Sequence, residues 1–253
     1  MKIAAIVVAA GSGQRMGRPK QYLDLGGHPL LYYPLKVLQQ SPLIDSIVLV
    51  VPQGEIDRVL EKIVRFYRFS KVLRIVKGGR ERQDSVYNGL SNVPPETELV
   101  LVHDGARPFL TLKLIEEVIM AAARDGAAIL GVPVTDTIKL GSYCPPSTVH
   151  RPPSPVTGGT RNPAWVKKTL PRSRLWAVQT PQAFKREILE RAFKQAYAEG
   201  FYGTDEASLL ERIGVPVRLV PGSNENMKIT TPNDLALAEI ILKGNRSATD
   251  AHR

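Results

Sequence analysis

The stretch from Ile3 to Lys20 constrains the fold more than any other. Ile3 to Val8 is an unbroken apolar run rich in β-branched residues, which reads as a strand buried on both faces. It runs directly into Ala9, Ala10, Gly11, Ser12 and Gly13. Residues this small let the backbone approach a ligand closely, and their N–H groups can point at phosphate oxygens. Arg15, Arg18 and Lys20 follow within the same loop. A strand, a glycine turn and three cations together make a polyphosphate site. A plain surface turn needs one glycine and no cluster of cations.

The pattern narrows which phosphate loop this is. A P-loop would require Gly-Lys-Ser/Thr after the second glycine, and that is absent. The dinucleotide pattern Gly-x-Gly-x-x-Gly opening a helix is not kept by Gly11-Ser-Gly13-Gln-Arg-Met-Gly17. Pro19 also opposes a helix running on from the turn. The run Ala9 to Gly17, with Pro19 and Lys20, instead resembles the signature of sugar-nucleotide pyrophosphorylases and related nucleotidyltransferases. The resemblance implies a loop wrapped around the triphosphate of a nucleoside triphosphate.

Downstream, apolar runs alternate with amphipathic segments, the pattern of repeated βαβ units in an α/β fold. Strands are expected at Ile3–Val8, Ile47–Val51, Val72–Val76, Leu99–Val102, Ala127–Val132 and Val217–Val220. Helices are expected at Leu30–Gln39, Glu55–Phe66, Asp84–Leu90, from Thr111 to about Ala123, Phe184–Glu199 and Asp205–Ile213. A final helix is capped by Thr231-Pro232-Asn233-Asp234. The alternation breaks between Thr135 and Pro181. The middle of that segment, Ser142–Pro163, carries six prolines (Pro145, Pro146, Pro152, Pro153, Pro155 and Pro163) and cannot join a central strand. The expected organisation is a single domain over residues 1–243 with an arm at about 135–181. A polar, disordered tail is expected over residues 244–253.

Charge and cysteine usage exclude several classes. The net charge is +10, yet the cations are spread along the chain without aromatic interleaving or an RNA-binding motif. A small anionic substrate explains the glycine-associated cations better than nucleic acid does. No stretch approaches the ~18 apolar residues of a membrane span. Cys144 is the only cysteine, so no internal disulfide can form, and it has no His partner in view as a nucleophile. With Met1 and Lys2 leading straight into a strand, a cytoplasmic protein is expected.

In an open parallel sheet, ligands bind beyond the carboxyl ends of the strands. Polar clusters follow strand after strand there: Gly11 to Lys20, Gly78 to Val86, His103 to Phe109, Pro133 to Lys139 and Asn224 to Thr230. Asp104 directly follows an apolar strand, which suits a carboxylate held beside Mg²⁺ and phosphate; an Asx turn is the alternative. Glu225 is a second candidate metal carboxylate, with a solvated loop acid as its alternative. Lys228 lies between apolar neighbours and would reach inward as a cation. His103 suits packing or hydrogen bonding rather than catalysis, because phosphoryl transfer from a phosphate nucleophile needs little proton abstraction.

Seven motifs, in order, resemble the 2-C-methyl-D-erythritol 4-phosphate cytidylyltransferase family of the non-mevalonate isoprenoid pathway. They are Gly11-x-Gly13-x-Arg15-Met16 with Pro19-Lys20-Gln21-Tyr22, Gly78-Gly79-x-x-Arg82-x-x-Ser85-Val86, Val102-His103-Asp104-x-Ala106-Arg107-Pro108, Thr135 to Lys139, Gln179-Thr180-Pro181-Gln182, Thr204-Asp205-Glu206-Ala207 and Asn226 to Thr230. The resemblance implies a three-layer, Rossmann-like nucleotidyltransferase fold with a mostly parallel central sheet and a projecting β-arm. It implies a Mg²⁺-dependent homodimer, exchanging arms, that joins CTP to methylerythritol phosphate and releases pyrophosphate. Ala9, Ala10, Gly79 and Ser85 match the cytosine site, with Gly11 and Gly13 in the nucleotide loop. Arg15, Lys20 and Lys228 match the cations around the triphosphate, and Asp104 the metal ligand. Arg107, Thr137, Thr180 and Thr204 match the polyol-phosphate site, completed by Arg172 from the partner's arm. The insert Ser142–Pro163 is longer and richer in proline than the family's usual arm. The nearest alternative is ribitol-5-phosphate cytidylyltransferase, from which Lys139 and the segment Leu170–Trp176 distinguish the chain. A non-catalytic nucleotide- or nucleic-acid-binding protein and an NAD-dependent oxidoreductase are rivals of other classes.

Overall fold

Apolar runs this long must be covered on both faces, and two separate cores cover them. A computed structural model describes residues 1–11, 20–142 and 165–250, with side chains through 141 and over 165–244. Gly13, Arg15 and the expected insert beyond Ser142 lie outside them. Along β1 (Ile3–Val8), Ile3, Ala5 and Val7 enter one core while Ala4 and Ile6 enter the other. A short hairpin, β2 (Asp24–Leu25) with β3 (His28–Pro29), leads into α1 (Tyr32–Gln40), β4 (Ser46–Val51) and α2 (Ile56–Val59). Then come β5 (Val72–Lys77), α3 (Arg82–Leu90), β6 (Leu99–Asp104), α4 (Leu112–Asp125) and β7 (Ala127–Pro133). Two short strands follow, β8 (Lys139–Ser142) and β9 (Trp165–Thr169). Next are β10 (Trp176–Lys185), α5 (Arg186–Ala198), α6 (Glu206–Arg212), β11 (Arg218–Pro221) and α7 (Pro232–Asp250).

The sheet runs β11-β7-β10-β6-β1-β4-β5. β1 is parallel to β4 and β6, β4 to β5, and β7 to β11, whereas β10 is antiparallel to β6. One face packs on α1, α2 and α4 through Leu35, Leu38, Val59, Ile115, Val118 and Ile119. The other packs on α3, α5 and α6 through Val86, Leu90, Leu189, Phe193, Leu209 and Leu210. These are the three layers of an α/β fold with a mostly parallel sheet. The chain separates into two compact units, Met1–Gly131 with Val178–Arg253, and Val132–Ala177. In the second unit β8 pairs antiparallel with β9, and every residue of β9 is exposed.

Four local expectations are corrected. Gln179 to Phe184 form part of β10, a central strand in the stretch where the alternation broke, and the helix expected from Phe184 begins at Arg186. Polar Gln179, Thr180 and Gln182 are buried there because each finds a hydrogen-bonding partner. The helix expected over Glu55–Phe66 changes to π-helical turns at Leu60–Arg65. Asp104 is the last residue of β6 rather than the residue after it. The tail expected from Gly244 is helical to Asp250: Gly244 is not in the left-handed conformation that usually ends a helix, and no proline follows it.

Candidate active site

Three loops converge beyond the carboxyl ends of β1, β5 and β6. They wall a cavity of about 610 Å³, the size of a nucleotide or drug-sized ligand site. Val8, Ala9, Ala10, Gly11, Lys20, Gly79, Arg82, Ser85, Asp104, Gly105 and Lys228 are among its lining residues.

Small residues are required where these loops meet. A Cβ on Gly78 would lie 2.3 Å from the Ala10 Cβ, and one on Gly79 would lie 2.2 Å from the Asp84 Cβ. The Gly79 N–H donates to the Ser85 hydroxyl at 3.0 Å, and that hydroxyl donates to the Glu81 carbonyl at 3.1 Å. Ser85 thus shapes the loop and keeps one lone pair for a ligand. Asp84 closes the loop by accepting from the Glu81 N–H, within a capping box that starts α3.

Asp104 is the electrostatic centre. It is 6% exposed, and among the described residues three cations surround it. Lys228 Nζ stands 2.7 Å from Oδ2, Arg82 Nε 3.3 Å from Oδ1, and Arg107 Nε 3.9 Å from Oδ2. Burial pushes the Asp104 carboxyl up, but Arg82 and Lys228 outweigh it and hold it well below the usual carboxylate range. Asp104 is therefore ionised at any working pH. Arg82 also donates from Nη1 to Glu206 Oε1 at 2.7 Å. Lys20, which opens a short 3₁₀ turn, reaches the Ile229 carbonyl with Nζ at 3.4 Å.

The backbone of Asp104 is fixed by a relay that also assigns a tautomer. His103 Nε2 lies 3.2 Å from the Arg107 carbonyl, an acceptor only, so Nε2 carries the proton. Nδ1 is then the acceptor for the Thr180 hydroxyl at 3.2 Å. Thr180 Oγ1 in turn accepts the Asp104 N–H at 3.0 Å. Burial pushes the His103 imidazole down to about 4, in keeping with a neutral ring. His103 is a hydrogen-bonding residue, as expected from the sequence.

The cavity thus brings together Ala9, Ala10, Gly11, Lys20, Gly79, Ser85, Asp104 and Lys228. Arg107 is buried behind Asp104 and donates from Nη1 to the Asn226 carbonyl at 2.7 Å. Thr180 is buried in the relay, and Thr204 is exposed just before α6. Glu225 is exposed and is not among the cavity-lining residues. Thr137 and Arg172 belong to the second unit, where both are exposed and Arg172 Nη1 donates to the Thr135 carbonyl at 2.8 Å. Gly13 and Arg15 lie outside the described residues. Sequence reasoning gave Arg82 and Glu206 no role. The only signal was their presence in two of the matched motifs.

A family model of 2-C-methyl-D-erythritol 4-phosphate cytidylyltransferase matches residues 3–151 and 156–244. The chain belongs to this family. The enzyme of that name from Syntrophus aciditrophicus is 49% identical over 244 residues, covering 96% of each chain. Among solved structures, the 4-diphosphocytidyl-2C-methyl-D-erythritol synthase of Anaerococcus prevotii superposes with a TM-score of 0.78 at 29% identity, covering 96% of this chain and 98% of that one. The cytidylyltransferase of Thermus thermophilus superposes with a TM-score of 0.73 at 31% identity, covering 96% and 100%. The chain is a nucleotidyltransferase enzyme, a methylerythritol phosphate cytidylyltransferase of isoprenoid biosynthesis. The ribitol phosphate alternative is not favoured.

Proposed function

We propose that the cavity around Asp104 binds CTP and transfers its cytidylyl group to methylerythritol phosphate, with the residues in the following roles. The observation that carries this reading is one buried, ionised carboxylate at the end of β6, ringed by cations in a cavity walled by glycine loops. Backbone groups at Ala9, Ala10 and Gly79, with the second lone pair of Ser85, hold cytosine; a base site this close to backbone excludes purines by size. Gly11 serves the triphosphate, a role that the family match also gives to Gly13 and Arg15. A phosphate oxygen of methylerythritol phosphate attacks the α-phosphorus in line. The bond from that phosphorus to the bridging oxygen breaks, and pyrophosphate leaves. Two polyanions must meet, so Arg15, Lys20 and Lys228 offset the charge that builds up. Arg107, Thr180 and Thr204 serve the polyol phosphate.

The donor set fits a divalent cation. Asp104 supplies one carboxylate, and no cluster of three or more His, Cys, Asp or Glu side chains occurs among the described residues. Mg²⁺ characteristically takes one or two carboxylates and completes its shell with substrate phosphates and water. Asp104 would hold it, while Glu225 stands outside the cavity lining. When bound, the ion neutralises phosphate charge and polarises the α-phosphoryl group.

The enzyme acts as a homodimer, with the arm of each subunit placing Arg172 in the other's site. Large apolar side chains on the second unit support this: Leu140, Trp165, Val166 and Trp176 are 44%, 54%, 62% and 36% exposed. No helix among the described residues is long and apolar enough to cross a membrane, and we place the enzyme in the cytoplasm. The deciding experiment is pyrophosphate release from CTP with each polyol phosphate in turn. Methylerythritol phosphate is expected to give by far the larger kcat/KM; equal values would overturn the substrate assignment.

A further inference from the structure

Glu206 is 1% exposed, at the start of α6, and its Oε2 has no hydrogen-bonding partner among the described residues. A buried carboxylate kept in this state needs a cation, and Arg82 supplies it at 2.7 Å. The same guanidinium reaches Asp104 at 3.3 Å with another nitrogen. Because the guanidinium is planar and rigid, it couples the attitudes of the two carboxylates. The neighbouring loops are clamped as well. Gln83 donates to the Phe201 carbonyl at 3.1 Å and accepts the Gly203 N–H at 2.8 Å, and Gln182 donates to Asp205 at 3.0 Å.

The two close cations on Asp104 therefore differ. Lys228 is a single ammonium on a flexible stem, with 39% of its side chain exposed. It can turn from Asp104 to an arriving phosphate. Arg82 is anchored from behind by Glu206. Without that anchor Arg82, which lines the cavity, would be free to pair with the triphosphate and leave Asp104 unsupported on its Oδ1 side.

We infer that Glu206 is a positioning residue: through Arg82 it holds Asp104 in the attitude that receives metal-bound CTP. The inference rests on Asp104 as the metal carboxylate, so the test separates the two ideas. CTP binding to the full-length protein is measured by titration calorimetry in Mg²⁺ and in EDTA. The wild type is expected to bind CTP more tightly in Mg²⁺. Asp104→Asn is expected to abolish that gain; if it does not, Asp104 is not the metal carboxylate and the reading beneath the inference fails. Glu206→Gln keeps the shape and removes the charge. It is expected to reduce the gain by about tenfold, the usual effect of losing a group that orients a metal ligand. Its affinity in EDTA is expected to stay within about twofold of wild type, and its kcat to fall more than its KM for CTP rises. If Glu206→Gln proves unstable, the double variant Arg82→Gln/Glu206→Gln buries a neutral hydrogen-bonded pair and is expected to fold and to show the same reduced gain. A lowered melting temperature with the Mg²⁺ gain intact would mean that Glu206 serves the fold alone, and would overturn the inference while leaving Asp104 in its role.

Discussion

At the scale of single residues, charge and burial make separable predictions. Replacing Lys20 by Ala removes a cation from the cavity wall without touching either core. We expect kcat to fall by about 10²–10³, with the far-ultraviolet circular dichroism unchanged. Survival of kcat within a few-fold would leave Lys20 a solvated charge. For Asp104→Asn we expect the half-saturating Mg²⁺ concentration in the pyrophosphate assay to rise sharply; a titration overlaying the wild type would remove Asp104 from metal binding. His103 predicts a pH effect on stability. Its folded value is about 4, against about 6.5 in an unfolded chain. Between those values the unfolded chain binds a proton that the native ring does not. Native stability therefore falls as the pH drops from about 6.5 towards about 4, by ~3 kcal/mol in all, and levels off below. Urea midpoints for wild type and His103→Gln should diverge from each other across that window. Parallel profiles would show that the ring is already charged in the native protein.

At the scale of elements, α3 lies unusually close to the sheet. A Cβ on Gly89 would stand 2.5 Å from Ile6 Cγ2 and 3.1 Å from Val50 Cγ2. Alanine normally stabilises a helix over glycine by about 1 kcal/mol. Here overpacking opposes it, and we expect Gly89→Ala to lose ~1–3 kcal/mol by denaturant titration; a gain in stability would show that helix and sheet can move apart. β1, β4, β6 and β7 were legible in the sequence because strands covered on both faces must be apolar throughout. The glycine loops were legible because backbone can approach a phosphate only where side chains are small. β10 was hidden because Gln179, Thr180, Pro181 and Gln182 look like a loop, and their burial depends on partners such as His103, Asp205 and Ser223, each at least 23 positions away. The Arg82–Glu206 pair was hidden for the same reason, its members being 124 positions apart.

At the scale of the whole molecule, the arm predicts a shared site. Two inactive variants, Lys20→Ala and Arg172→Ala, are mixed so that subunits exchange. If Arg172 serves the other subunit, a hybrid dimer has one site with both lesions and one with neither, so roughly a quarter of all sites recover. No recovery, with exchange confirmed by a tagged subunit, would place Arg172 in its own subunit's service. The late position of β10 has a further consequence, for how the chain is made. β6 lies against β1 once residue 104 has emerged from the ribosome, but its other edge is covered only when Gln182–Lys185 pair with Leu99–Val102. Until then the nascent chain presents an apolar, unpaired strand edge, a template for pairing with a neighbouring chain. At synthesis rates of roughly 5–20 residues per second, that exposure lasts several seconds. Chains truncated before residue 176 should accumulate as aggregates, and chaperone capture of stalled nascent chains should fall once β10 has cleared the exit tunnel.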